Sequence, residues 1–245
     1  MKKIFLATAF IFTLVVSAFS VSAQTQSRDD VIKEIETKRA ELVVLEQKVL
    51  AVADSDREEF ASFLSQPQTG IIRLLPREIY DGKRARGLAI NGGGAFYSFD
   101  RLTHEYGQGS DIMLEQEYFS VGFAGADYGM LLNLGDVPLE QLMNDHAATR
   151  ALLDYTPPPK EPEVRAEYRK LWQQGIELSG FVFKSRLPAK VSNTYLLRSI
   201  SIERADTLAV FRVVRKDTDG SFILVYKVLK SFPKPKLEKT PTEGN

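Results

Sequence analysis

Cysteine is absent from the sequence of 245 residues. Its absence excludes disulfides, thiolate metal sites, catalytic thiols and lipid-modified cysteine. A chain without disulfides depends on its hydrophobic core for stability, and a chain of this length with 44% apolar residues can form one. The composition therefore predicts one globular domain of moderate size with further segments attached.

A net charge is also missing, because Lys plus Arg and Asp plus Glu both number 32. Without a basic excess, no overall field attracts nucleic acid or an anionic membrane. The sequence also contains no aromatic RNA-binding motif and no Cys/His finger. We therefore exclude nucleic acid from the predicted partners.

Complete catalytic and cofactor motifs are absent as well. Histidine occurs only at His104 and His146. His104-Glu105 begins like a zinc-protease motif, but Gln108 stands where the second histidine is required. The glycines at 92–94 lack the Gly-Lys-Ser/Thr ending of a phosphate-binding loop, and no G-x-S-x-G motif occurs. We therefore expect neither a metal nor another cofactor.

A long apolar run occurs once, near the N-terminus. Residues 4–19 are apolar apart from three hydroxyl side chains, and Val21-Ser22-Ala23 then suits cleavage before Gln24. At 1.5 Å per residue the run is about 24 Å long, shorter than the ~30 Å hydrocarbon core of a membrane. We predict a cleaved signal peptide at 1–23, the alternative being a retained anchor. Together with the lack of disulfides, this predicts a bacterial periplasmic or secreted protein with no membrane span after cleavage.

The glycines are concentrated in the middle of the chain. Residues 87–135 contain ten of the 16 glycines and eight of the 24 Phe and Tyr residues. Glycine permits tight turns and close backbone contacts, and aromatic rings bring large apolar area. The segment therefore predicts a tightly turned antiparallel sheet. Within it, Asn91-Gly92 predicts a hairpin turn between strands at 88–90 and 95–99.

The pattern along the whole chain predicts an α+β fold. An N-terminal helical hairpin (24–66) precedes a glycine- and aromatic-rich domain (67–232), which has a mainly antiparallel β-sheet with one or two further helices, and a disordered tail (233–245) follows. The other predicted strands are 71–75, 112–116, 118–123, 130–134, 176–183, 195–200, 208–215 and 222–229. The other predicted helices are a short one from Pro138 to Met143, one at 147–153, and an amphipathic one at 163–174 with Trp172 in the core.

The first predicted helix, 31–52, carries a wide apolar stripe. Ile35 and Leu42 occupy heptad positions a, Leu45 occupies a position d, and Lys38 is the one polar exception. Two alternatives follow: the helix packs on its own domain, or it forms a coiled coil with a second copy or another partner. Further apolar residues of the stripe are Val31, Ile32, Val43, Val44, Val49, Leu50 and Val52.

The segment 100–111 contains the residues best suited to chemistry. Its carboxylates and imidazole would serve as a general acid and base for glycoside cleavage, or its carboxylates as calcium ligands. The structural alternative is a loop in which Arg101 pairs with a carboxylate and His104 hydrogen-bonds across the loop. The candidate catalytic residues are Asp100, His104, Glu105 and Asp111.

Ligand-binding candidates lie in the same loop and in the following glycine-rich run. Tyrosines have an apolar ring and a polar hydroxyl, which suits contact with sugars or peptides. The candidates for ligand binding are Arg101, Tyr106, Asp127 and Tyr128, and Tyr97 and Tyr118 are further rings that would extend a carbohydrate platform. The structural alternative is that most of these rings pack in the core and that Asp127 lies in a turn.

These observations together lead to two functional hypotheses. The first is an exported binding or envelope-associated protein without catalytic activity, whose partner is a protein or a cell-envelope polymer. The coiled-coil alternative for residues 31–52 would, separately, make the protein a homo-oligomer. The second is an extracellular, glycan-directed hydrolase that uses His104 and the carboxylates of the 100–111 loop.

Overall fold

The computed structural model describes residues 27–82, 87–107, 109–123, 127–142 and 146–238. The predicted signal peptide and residues 239–245 of the predicted tail lie outside this part of the chain. Helices and antiparallel sheets both occur, which confirms the mixed α+β class. The described residues before Ala40 and those from Ala40 onward belong to two compact units, and the sites described below lie in the second.

Six helices and eleven strands are present in the described residues. The helices are α1 Arg28–Leu50, α2 Asp54–Glu59, α3 Ala61–Leu64, α4 Arg77–Tyr80, α5 Ala147–Asp154 and α6 Glu161–Gln173, with a 3-10 helix at Leu139–Leu142. The strands are β1 Thr69–Leu74, β2 Phe96–Tyr97, β3 Ile112–Glu115, β4 Tyr118–Ser120, β5 Tyr128–Asn133, β6 Ile176–Leu178, β7 Phe181–Phe183, β8 Arg186–Pro188, β9 Thr194–Ser201, β10 Ala205–Lys216 and β11 Phe222–Ser231.

The main sheet has five antiparallel strands in the order β1-β11-β10-β9-β5. Apolar side chains alternate along β10, so that Phe211 and Val213 belong to the core on one face and Leu208 and Val210 to the core on the other. The β10–β11 hairpin therefore lies in the interior of the sheet and is covered on both faces.

A second antiparallel sheet, β2-β3-β4-β8, supplies the core on the first face. Phe119 of β4 packs edge-on against Tyr195 and Phe211 of the main sheet, at ring-centroid distances of 5.3 and 5.1 Å. These aromatic contacts use the large rings that the sequence concentrates in this region. The strands predicted at 112–116 and 118–123 are thus present as β3 and β4, with shorter bounds.

Helices α5 and α6 cover the other face of the main sheet. Val164 and Leu171, one heptad apart on α6, are fully buried, and Gly175 follows the helix with a positive φ of 93°. Trp172 is 54% exposed, so the prediction of a core tryptophan is wrong. Trp172 lies about 100° around the helix from Leu171, which turns it away from the narrow buried stripe.

The glycine run at 92–94 does not form the predicted hairpin. Residues 88–90 are not a strand, and the three glycines all have positive φ. A Cβ at Gly93 would lie 2.2 Å from the carbonyl oxygen of Tyr80, so the chain turns tightly against α4 here. The next strand, β2, instead pairs with β3.

The apolar stripe of α1 is exposed between Leu42 and Leu45. Close to its C-terminal end the helix is fixed by Glu46, whose buried carboxylate accepts hydrogen bonds from the backbone N–H groups of Ala89 and Ile90. The last turn of the helix therefore packs on its own domain, which is one of the two alternatives, whereas residues 42–45 do not.

Candidate functional site

The loop between β2 and β3 carries most of the predicted site residues. It starts with a tight turn in which the N–H of Ser98 donates to the carbonyl oxygen of Thr103 at 2.9 Å, and the N–H of Leu102 to that of Ser98 at 2.9 Å. Leu102 has a left-handed φ of 53° and its side chain is exposed. The loop is thus a folded turn whose side chains point in different directions.

Asp111 is a buried structural carboxyl group. It is 1% exposed, and it accepts a hydrogen bond of 2.7 Å from the N–H of Phe99 and another from the side chain of Ser199 on β9. Burial raises the pKa of Asp111 to about 7, although these hydrogen bonds act in the opposite direction. The residue links the loop to the main sheet.

His104 is also directed inwards. Its Nε2 lies 2.9 Å from the carbonyl oxygen of Arg73 on β1, so this nitrogen carries a proton and donates it. The imidazole packs edge-on against Tyr97 at 4.9 Å. Burial lowers the pKa of His104 to about 4, against the opposing effect of the bond to Arg73. This neutral side chain has a structural role, as in the structural alternative for the loop, but it bonds to a neighbouring strand and not across its own loop.

Glu105 and Arg101 are exposed on this loop, whereas Tyr106 is half-buried. Glu105 is exposed, and its N–H donates to the hydroxyl of Thr103 at 3.3 Å. The ring of Tyr106 packs against Phe96 with centroids 4.5 Å apart. Arg101 is exposed, and its N–H donates to the Ser98 hydroxyl at 3.3 Å.

Asp127 and Tyr128 do not join this loop. Tyr128 is fully buried in the core on the opposite face of the main sheet, where its hydroxyl lies 2.9 Å from that of Tyr155. Burial raises the pKa of Tyr128 above its usual range. Asp127 accepts a hydrogen bond of 3.1 Å from the N–H of Ile202, and burial raises the pKa of its carboxyl group.

Asp100 is the predicted catalytic residue that borders a cavity. The cavity has a volume of about 390 Å³ and lies at the end of the main sheet where β1, β10 and β11 meet. We call it the Asp100 cavity. It is lined by Gln68, Thr69, Phe99, Asp100, Leu102, Thr207, Tyr226, Val228 and Ser231.

The lining of the Asp100 cavity combines two aromatic rings with many neutral polar groups. Phe99 and Tyr226 lie with ring centroids 4.8 Å apart, and the Tyr226 hydroxyl is 3.1 Å from that of Tyr97. Around them are three aliphatic hydroxyl groups, one amide and the single carboxylate of Asp100. Such a wall can pack against one face of a ligand and hydrogen-bond to its hydroxyl groups.

Five polar lining residues were missed at the level of sequence. Thr207 and Ser231 face each other as direct cross-strand partners of β10 and β11. In the sequence, only the alternation of side chains along each strand could have placed Thr207 and Ser231 on a common face. That inference also requires knowing that β10 pairs with β11. The residues missed are Gln68, Thr69, Thr207, Tyr226 and Ser231.

In the described part of the chain, no group of three or more His, Asp or Glu side chains could hold a metal ion. No helix among these residues combines the length and apolar character needed to cross a membrane.

The chain matches no protein-family model, and it shows no significant match to a curated protein or to a solved structure.

Proposed function

We propose that this protein is an exported binding protein without catalytic activity, which takes a polyhydroxylated ligand such as a cell-envelope glycan in the Asp100 cavity. The observation that carries the proposal is the lining of this cavity, where hydroxyl and amide groups surround a pair of aromatic rings. A volume of about 390 Å³ suits one or two sugar rings, because small-molecule sites have volumes of about 300–1,000 Å³.

The distribution of the carboxyl groups favours binding over hydrolysis. Glycoside hydrolases place two carboxyl groups about 5–9.5 Å apart across the scissile bond. Among the described residues that line the cavity, Asp100 supplies the only carboxyl group. Asp111 is committed to Phe99 and Ser199, and His104 to Arg73. Asp100 therefore acts as an acceptor for ligand hydroxyl groups.

The test is a titration of the mature chain, residues 24–245, with soluble peptidoglycan fragments and neutral and acidic polysaccharides, followed by calorimetry. We expect saturable binding that Asp100→Ala weakens at least tenfold and that Thr207→Val also weakens. Each change removes a polar group that lines the cavity.

Glu105→Ala is the matched control, because Glu105 is an exposed acid of the same loop that does not line the cavity. The control variant should bind as the parent does, and none of the proteins should release reducing ends from the polysaccharides. Release of reducing ends that Glu105→Ala abolishes would establish the hydrolase instead. Binding that is unchanged in both cavity variants would show that the ligand does not bind in the Asp100 cavity.

Two finer features belong to the same proposal. We infer that α1 forms a helical hairpin with the short helices α2 and α3, since only residues 51–53 separate α1 from α2. We also infer that two copies of the chain associate through the exposed stripe of α1, because Leu42 and Leu45, at heptad positions a and d, are exposed to solvent.

A further inference from the structure

A second cavity lies at the same end of the main sheet as the Asp100 cavity, on its opposite face. Its volume is about 480 Å³. One wall is the proline run that follows α5, and the other wall is the segment that follows β11. We call it the lysine cavity. It is lined by Leu153, Tyr155, Thr156, Pro157, Pro158, Pro159, Arg198, Asp206, Lys230, Phe232, Pro233, Lys234, Pro235 and Lys236.

Backbone hydrogen bonds hold the two walls in place. The N–H of Phe232 donates to the carbonyl oxygen of Asp206 at 2.8 Å, and the N–H of Glu203 donates to that of Pro235 at 2.8 Å. The N–H of Glu238 donates to the carbonyl oxygen of Pro159 at 2.8 Å, which joins the walls directly. Five prolines stiffen the lining further, so the cavity is preformed.

The floor of the cavity is a buried ion pair. Arg198 donates to both carboxylate oxygens of Asp206 at 2.9 and 2.8 Å, and both side chains are almost completely buried. The single acid of the lining is therefore neutralised by the arginine beneath it.

The lysines at the rim leave a positive charge in the cavity. The lining has four cationic side chains and one carboxylate, a net formal charge of +3. Within the described part of the chain, Lys230, Lys234 and Lys236 form no ion pair, and the ammonium group of Lys230 lies 4.5 Å from the centroid of the Phe232 ring. The Phe232 ring thus contacts two cations, because the guanidinium of Arg198 lies 3.8 Å from its centroid as well.

We propose that the lysine cavity binds an amphipathic organic anion, with its anionic group at the lysines and its apolar body against Phe232 and the prolines. Lysine ammonium groups recognise an anion as mobile point charges. Proline rings and an aromatic ring supply the apolar surface that a hydrophobic ligand body needs. This site is independent of the glycan site, because the main sheet separates the two cavities.

The experiment compares two fluorescent probes on the mature chain. 8-Anilinonaphthalene-1-sulfonate carries an aromatic body and one negative charge, and N-phenyl-1-naphthylamine has the same aromatic body without the charge. We expect saturable binding of the sulfonate, at least tenfold tighter than that of the neutral probe, and weakening as salt rises from 20 to 300 mM.

The double variant Lys234→Gln/Lys236→Gln should weaken sulfonate binding at least tenfold and flatten its salt dependence. The matched control is Lys170→Gln/Lys190→Gln, which removes two exposed lysines away from the cavity and should leave binding unchanged. Equal affinity for both probes, equal loss in both double variants, or the absence of saturable binding would overturn the proposal. Polysaccharide binding is measured on the same variants, and its persistence separates this site from the Asp100 cavity.

Discussion

At the scale of single residues, Arg198 joins more parts of the protein than its size implies. Besides the ion pair with Asp206, its Nη1 donates to the carbonyl oxygens of Leu152 and Tyr155 at 2.5 and 2.6 Å. These carbonyl groups lie at the C-terminal end of α5, where intrahelical partners run out. One guanidinium therefore fixes a helix end, two strands and, through Phe232, the last described segment.

Arg198→Met should lower the free energy of unfolding by about 3–5 kcal/mol, because Asp206 would be left as an unpaired buried carboxylate. Urea denaturation monitored by circular dichroism measures this loss. Arg165→Met is the control, since its ion pair with Glu161 is exposed and should be worth less than about 1 kcal/mol. The double variant Arg198→Met/Asp206→Leu should recover part of the loss; a double variant less stable than the single one would contradict the assigned cause.

Asp111 and His104 should change the pH dependence of the free energy of unfolding in opposite directions. With its pKa raised to about 7, folded Asp111 keeps a proton that the unfolded chain loses near pH 4, so its contribution to stability falls as pH rises from about 4 to 7. With its pKa lowered to about 4, folded His104 lacks a proton that the unfolded chain holds up to about pH 6.5, so its contribution rises over that range.

We therefore expect Asp111→Asn and His104→Gln to change the pH profile in opposite directions. Relative to the parent protein, the free energy of unfolding of Asp111→Asn should rise between pH 4.5 and 6.5, because the histidine contribution is left alone. That of His104→Gln should fall. Urea denaturation at several pH values measures both slopes, and slopes that change in the same direction would show that one assigned pKa shift is absent.

Gly93 and Gly107 both have positive φ but differ in the space around them. Gly93→Ala should cost about 3 kcal/mol or more, because its Cβ would meet the Tyr80 carbonyl oxygen at 2.2 Å in addition to backbone strain. Gly107→Ala should cost about 1–2 kcal/mol, because strain alone applies and no described atom lies within 4 Å of its Cβ. Thermal unfolding compares them, and equal losses would contradict the close approach of the chain to α4.

At the scale of elements, helix α1 carries the prediction about association. Leu45→Glu places a charge in the exposed apolar stripe and should convert a dimer into a monomer, as measured by light scattering at high concentration. Ala40→Glu adds the same charge at heptad position f, opposite the a and d positions of Leu42 and Leu45, and should leave the dimer intact. A monomeric parent protein would refute association through α1.

Elements with strong local signals were predictable, and elements set by distant contacts were not. The β10–β11 hairpin follows from apolar residues on both faces and from Gly220, which adopts a φ of 84° in the connecting turn. The Asn91-Gly92 signal failed because Gly92, Gly93 and Gly94 all turn the chain in a left-handed conformation, set by contacts with α4 and Leu50. Periodicity located α6 but overestimated the width of its buried stripe.

At the scale of the whole molecule, we predict that the protein is exported and its signal peptide removed. The chain isolated from the periplasm or the culture medium of a bacterial host should begin at Gln24, because Val21-Ser22-Ala23 presents small residues to the signal peptidase. Mass spectrometry of the intact protein measures this directly. A chain that keeps its first 23 residues and sediments with membranes would establish the anchor alternative.

The candidate site could be predicted only in part, because distant strands assemble it. Asp100 was found because it lies in a loop rich in polar residues. Thr69, Thr207 and Tyr226 come from three strands whose neighbourhood depends on the sheet order β1-β11-β10, which no local pattern contains. The hydrolase hypothesis needs the acids and the imidazole of 100–111 to converge, but Asp111 and His104 are instead hydrogen-bonded to backbone groups of Phe99 and Arg73.

The two cavities draw on adjacent residues of the same strands. Asp206 and Lys230 line one of them, and their neighbours Thr207 and Ser231 line the other. The pairing of β10 with β11 has an irregularity between Leu208 and Ala209. This irregularity sets the register of the neighbouring pair, Thr207 and Ser231. Leu229 is the extra residue at this point, since Val228 pairs with Ala209 and Lys230 with Leu208. Regular pairing without this bulge would place Lys230 opposite Thr207 and Ser231 opposite Asp206, which would exchange the ammonium and hydroxyl groups between the two cavities. The register of β11 at this one point therefore decides which cavity is lined by ammonium groups and which by hydroxyl groups.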